Sequence, residues 1–169
     1  MSTAPEVRGV DHVSLTVTDL SRSEAFWCGV VGLVVVLEHE QGLVCMARRG
    51  GLTLGLVRHE PRPGDRFSHL RPGLDHLGFT VRDVTELRAW EARLVACGVP
   101  HTPVTDGGLG YHLNARDPDD IALEWYSAKE PYTTALADLR RREHSDSEIR
   151  SRAAGLVGAE LVARRPEPV

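Results

Sequence analysis

Apolar and polar residues alternate over two stretches of the chain, DHVSLTVTDL at residues 11–20 and DHLGFTVRDV at residues 75–84. Strict alternation rich in Thr and Val predicts two half-buried strands. The second stretch is the first moved by 64 positions, so that Asp11, His12, Thr16, Val17 and Asp19 return as Asp75, His76, Thr80, Val81 and Asp83. Each strand ends on an aspartate that can cap a helix. The periodicity then changes. SRSEAFWCGVV follows the first strand and TELRAWEARLVACG the second; Leu87, Trp90, Leu94 and Val95 form the apolar stripe of an amphipathic helix, and Gly32 and Gly98 stop the two helices.

After the first helix, LVVVLEHE, LVCMARR and LTLGLVRH read as strands separated by turns at Gln41-Gly42 and Gly50-Gly51. After the second come PHTPV, GYHLNARD and IALEWY, with Asp117-Pro118-Asp119-Asp120 as the last turn. Each half therefore reads strand, helix, three strands, an α+β duplication with modules at residues 8–58 and 74–127. The Pro-, Gly- and Arg-rich segment 59–73 joins them. Residues 128–169 lie outside the repeat. There Leu136, Leu139, Ile149, Ala153, Leu156, Val157 and Leu161 predict a C-terminal helical extension packed on the body or on a second subunit, and Arg140-Arg141-Arg142-Glu143 reads as a solvated face.

Composition narrows the partners. With 169 residues, 41% hydrophobic and 26% charged, the chain can bury a core. A net charge of -4 offers no basic surface, so nucleic acid is not an expected partner. No apolar run approaches the roughly 20 residues that cross a bilayer, and no signal peptide opens the chain. Cys28, Cys45 and Cys97 are odd in number and form no metal or disulfide pattern; they read as reduced thiols of a cytoplasmic protein, buried as small core residues. His59, His69 and His101 fall in loops, where a solvated imidazole is the default.

Alternation sets His12, Ser14 and Thr16 on one face of the first strand, and His76, Gly78 and Thr80 on the same face of its copy. A single strand histidine is usually a packed or hydrogen-bonded one. Core packing rarely requires an imidazole at the same place in two copies, and the duplication therefore points to ligands. Glu124 sits between Leu123 and Trp125, where a carboxylate needs a charged partner. Two imidazoles and one carboxylate with open positions suit iron(II), and also Mn, Co, Ni or Zn.

VDHVSLTVTDLSRSEAFW, LDHLGFTV and NARDPDDIALEWY, over residues 8 to about 127, resemble the vicinal oxygen chelate superfamily, which includes glyoxalase I, extradiol dioxygenases and fosfomycin and bleomycin resistance proteins. The resemblance implies two βαβββ modules forming a pseudo-symmetric cup around a divalent metal that the substrate chelates through adjacent oxygens. It implies His12, His76 and Glu124 as metal ligands. Aligning GLTLGLV with DIALEWY sets Gly55 where glyoxalase I has a further carboxylate ligand, and the remaining three resemble the extradiol triad. The extradiol tyrosine ten residues before the glutamate is Asn114 here.

His112 and Asn114 share the strand face that this alignment turns into the cup; His112 could move a proton, Asn114 could donate a hydrogen bond to a metal-bound oxygen, and Tyr126 could close the rim. Tyr111 should face outward. The leading expectation is an iron(II) enzyme of dioxygenase type acting on a small molecule, as a homodimer. The alternatives are a glyoxalase-like lyase or isomerase using Ni, Co, Zn or Mn, and a protein that binds an antibiotic without chemistry.

Overall fold

A computed structural model describes residues 9–49, 51–59, 66–130, 132–139, 141 and 144–157. The first module runs β1 (Val13–Val17), α1 (Leu20–Glu24) continuing as a π-helical segment (Ala25–Val30), β2 (Val34–His39), β3 (Gly42–Met46) and β4 (Thr53–Arg58). Its copy runs β5 (Leu77–Thr80), α2 (Val84–Ala96), β6 (Thr105–Asp106), β7 (Gly110–Arg116) and β8 (Ala122–Ala128). The two sheets have one topology. Their orders are β1-β4-β3-β2 and β5-β8-β7-β6, with the first and last strands of each module parallel and the rest antiparallel. The fold is thus the expected α+β duplication, with helices α3 (Tyr132–Leu139) and α4 (Asp146–Val157) after it.

Local chemistry places the helices where the sequence predicts them. Asp19 accepts a hydrogen bond from the Arg22 N–H at 3.0 Å, and Asp83 from the Glu86 N–H at 2.9 Å, each satisfying a first-turn donor. Gly32 and Gly98 follow the helices at φ of 89° and 67°, a left-handed conformation that favours glycine. Two expectations need correction. PHTPV is not a strand: Pro100 and Pro103 have no N–H to donate to a ladder, so pairing there is one bridge between His101 and Ala115 before the two-residue β6. Cys97 is not a core residue but an exposed one capping α2, whereas Cys45 is fully buried and Cys28 partly so.

Leu15, Val17, Leu54, Leu56, Leu113, Leu123 and Trp125 are buried where the sheets meet the helices. Along β8 burial alternates, with Leu123, Trp125 and Ser127 inside and Glu124 and Tyr126 on the open face. An aromatic run links the modules: Trp27 meets Phe79 at 6.2 Å, Phe79 meets Trp125 at 5.6 Å, and Trp125 meets Trp90 at 5.2 Å. At the seam Arg93 donates to the carbonyl of Gly29, its own counterpart 64 residues earlier. Counterparts meet in this way on a twofold axis, so the repeat in sequence has become a pseudo-twofold in space.

The β7–β8 turn ties the modules further. Asp119, 4% exposed, accepts from the Thr18 N–H at 3.0 Å, from the Thr18 hydroxyl, and from Arg22 at 2.7 Å. In the same turn the buried Asp117 accepts from the Asp119 and Ile121 N–H groups at 2.8 and 2.9 Å. Helices α3 and α4 pack on one another, with an Arg152–Asp138 ion pair between them. Leu161 and most of the 140–143 charge run lie outside the described residues, as does much of the linker. Among the described residues, no helix is long and apolar enough to cross a membrane.

Candidate metal and substrate site

Open-face residues of the second sheet meet around Glu124. The register sets Gly78 on β5 and Asn114 on β7 directly beside it, and Tyr126 follows two residues along β8. His76, just before β5, brings Nε2 to 3.3 Å from Glu124 Oε2. His112 brings Nδ1 into a short contact with Glu124 Oε1 and lays its ring against Tyr126, 4.9 Å between centroids. His76, Glu124, His112, Asn114 and Tyr126 therefore come together, as their shared strand face implies.

His12 stands at the matching place before β1, with its side chain 60% exposed. It is not brought to Glu124: among the described residues no group of three or more His, Cys, Asp or Glu is placed to hold one ion. What does recur is the support of each imidazole. Asp11 Oδ2 lies 2.9 Å from His12 Nδ1, and Asp75 Oδ1 lies 2.6 Å from His76 Nδ1. A carboxylate at Nδ1 holds the ring proton there and leaves the Nε2 lone pair for a cation, the arrangement usual for metal-bound histidine. The hydrogen bond that His76 donates to Asp75, joined by the charge of Glu124 and opposed by partial burial, holds His76 above the ordinary histidine range, and the same hydrogen bond holds Asp75 below the ordinary carboxylate range. Sequence reasoning missed both aspartates as functional residues, although the signal was the Asp-His pair repeated in both strands.

Steric reciprocity explains Gly55. In the first sheet Ser14 pairs with Gly55; in the second, Gly78 pairs with Glu124. A Cβ on Gly55 would lie 2.6 Å from Ser14 Oγ, so any side chain there would have to displace the Ser14 hydroxyl. The hairpin between β6 and β7 was also illegible. A Cβ on Gly107 would strike the His112 ring and one on Gly110 the Tyr126 ring, so both glycines let the backbone lie against the site. Lys129 anchors this hairpin, donating to Asp106 at 2.6 Å and lying 4.5 Å over the Tyr111 ring.

The family model described as Glyoxalase/Bleomycin resistance protein/Dioxygenase superfamily matches residues 9–125. The chain belongs to this superfamily. A glyoxylase/bleomycin resistance protein/dioxygenase domain from Frankia sp. EAN1pec is 35% identical over 75% of this chain and 96% of its own, with a TM-score of 0.67. A lactoylglutathione lyase from Agrobacterium tumefaciens is 25% identical over 70% of this chain and 92% of its own, with a TM-score of 0.57. A fosfomycin resistance protein, FosX, from Listeria monocytogenes, solved as a mutant with Mn(II) and dihydroxypropylphosphonic acid, shares the fold at 19% identity and a TM-score of 0.60 over 75% of this chain and 95% of its own. No curated protein matches the chain. The superfamily match ends at residue 125, within β8, and leaves α3 and α4 outside it.

Proposed function

We propose that this superfamily member is a divalent-metal-dependent enzyme acting on a small molecule that chelates the ion through neighbouring oxygens. The observation that carries this reading is the twin Asp-His pair, Asp11 with His12 and Asp75 with His76. The donor set fits a divalent ion in chemistry: two imidazoles each held at Nδ1 by an aspartate, and a half-buried carboxylate, Glu124, whose Oε2 lies 3.3 Å from His76 Nε2. His76 and Glu124 come from one chain, and His12 is supplied by a second copy. A homodimer accounts for a further feature, since the open face of the first sheet exposes Val36, Leu37 and Met46, 53%, 56% and 42% accessible, an apolar patch that a second subunit would cover.

A bound ion supplies Lewis-acid stabilisation of negative charge on the chelating oxygens. The chain does the rest. Asp75 orients His76 through Nδ1. His112, in contact with Glu124 and beside the open face, takes or returns a proton at a substrate oxygen. Asn114, beside Glu124 in register, donates a hydrogen bond to a developing oxyanion, and Tyr126 bounds the rim and keeps the His112 ring in place.

With no carboxylate at Gly55, three protein ligands leave room for a chelating substrate and dioxygen, which favours iron(II) and a dioxygenase-type reaction. The second reading, a lyase or isomerase using Ni, Co, Zn or Mn, is favoured by the imidazole of His112 beside Glu124, a proton carrier of the kind that reaction needs.

Elemental analysis after anaerobic purification tests the proposal. Metal in the wild type, and its loss in His12→Ala, His76→Ala and Glu124→Ala, is expected; a metal-free wild type that no divalent ion stabilises would refute it. Oxygen uptake by the iron form selects the first reading, and turnover with Ni or Co without oxygen uptake the second. Mixing the folded His12→Ala and Glu124→Ala proteins should restore part of the metal binding if the site is shared between copies.

A further inference from the structure

The pseudo-twofold seam has two ends, and only one is filled. At the filled end the β7–β8 turn delivers Asp119 to the Thr18 N–H and to Arg22. At the other end lies an open cleft of about 930 Å³. Its floor is apolar: Leu33 is buried, and Leu52, Phe79 and Trp90 are half-buried. His12 stands at its mouth, but Glu124, His76 and His112 are not in its walls. Gly78 and Thr80 of β5 also line it, so it adjoins the open sheet face along the β5 edge.

The repeat shows what this end lacks. The counterparts of Thr18 and Arg22, 64 positions on, are Arg82 and Glu86. Glu86 already accepts from the Arg82 N–H at 2.7 Å and from its guanidinium at 3.4 Å, so the backbone donor that receives Asp119 in the first module is taken here. The β3–β4 turn that faces it carries Arg48 and Arg49 instead of acids. Arg48 is fixed in the wall by donating to the Gly32 carbonyl at 2.6 Å. Arg49 makes no hydrogen bond or ion pair among the described residues. The acids at the cleft, Glu86 and Asp11, are each engaged, by Arg82 and His12 respectively. Arg48 and Arg49 set two guanidinium groups above an apolar floor.

We propose that this cleft binds a small carboxylate with an aromatic or short apolar body, its anionic end at Arg49 and Arg48 and its body on Trp90, Phe79 and Leu52. Dispersion and area burial hold the body, and charge-assisted hydrogen bonds select the anion.

The test uses the full chain in the presence of a chelator, so that it is independent of any metal. Phenylacetate is titrated by calorimetry and by amide NMR, with phenylethanol as the uncharged comparison and Arg49→Glu as the variant; an unchanged melting temperature of the variant establishes its fold. Saturable binding in the millimolar range or tighter, shifts centred on the Trp90 indole and the Leu52 amide, and about tenfold weaker binding both of phenylethanol and by Arg49→Glu are expected. No saturation, shifts centred on His112 and Tyr126, or equal affinity for the variant would overturn the proposal.

Discussion

Asp117 offers the sharpest physical test of the structure. Asp117 is 4% exposed; one carboxylate oxygen accepts two backbone N–H groups, while the other has no hydrogen-bond partner among the described residues. Burial, reinforced by the charge of Asp119, pushes the group up from 3.8 to about 6; the two N–H donors and the nearby Trp27 indole, which makes no formed hydrogen bond, only partly oppose this. The folded value lies above the unfolded one, so the folded state binds the proton more tightly. The resulting stability is complete below about pH 4 and is lost as pH rises through about 6. The gap corresponds to about 3 kcal/mol. Asp117→Asn keeps an oxygen for the two N–H groups and removes the titration. Denaturant unfolding of both proteins, followed by circular dichroism at several values between about pH 4 and pH 7, isolates this group because every other titration cancels in the difference. Relative to wild type, the variant should gain about 2 to 3 kcal/mol across that window. A difference that stays flat with pH would refute the reasoning.

Removing the seam clamp should also be measurable: Asp119→Ala leaves the Thr18 N–H and hydroxyl without their acceptor and is expected to lower unfolding free energy by about 2 to 4 kcal/mol in denaturant melts. Asp75→Asn leaves all proposed ligands in place but removes the carboxylate behind His76, so metal affinity measured by competition with a chelator should fall about 10- to 100-fold while the fold is retained. Leu54→Ala, at a fully buried core position, should cost about 2 to 5 kcal/mol with an unchanged denaturant slope. Gly110→Ala would press a methyl group into the Tyr126 ring; a shifted ring spectrum of Tyr126 and His112 by NMR is expected, and an unaltered one would disprove the close packing of this hairpin.

Much of the architecture was legible in one dimension because its signals are local. The alternation around Leu15 and Phe79, the capping aspartates Asp19 and Asp83, and the stop glycines Gly32 and Gly98 each act within a few residues, and each appears where the pattern predicts it. The misreadings have the same origin. PHTPV looked like a strand by position in the repeat, but Pro100 and Pro103 cannot donate to a ladder; Cys97 looked like core by residue type, but the end of α2 turns it outward. The shared face of His76, Glu124, His112 and Tyr126 followed from the period of two, because strand geometry sets it before any packing.

What the sequence by itself determined is the duplication and its local grammar: two modules, the twin histidines, and which residues share a strand face, all consequences of backbone periodicity. Only the tertiary structure decided which of those faces meet. It set His112 against Glu124, assembled no three His, Cys, Asp or Glu side chains around one ion among the described residues, filled one end of the seam with Asp119 and left the other open. Such juxtapositions depend on how two sheets and two helices pack about the pseudo-twofold, where side chains distant in sequence compete for the same volume. Ser14 over Gly55 and Gly78 beside Glu124 illustrate the point: the two pairings use the same strands and the same register, and only the filling of space differs.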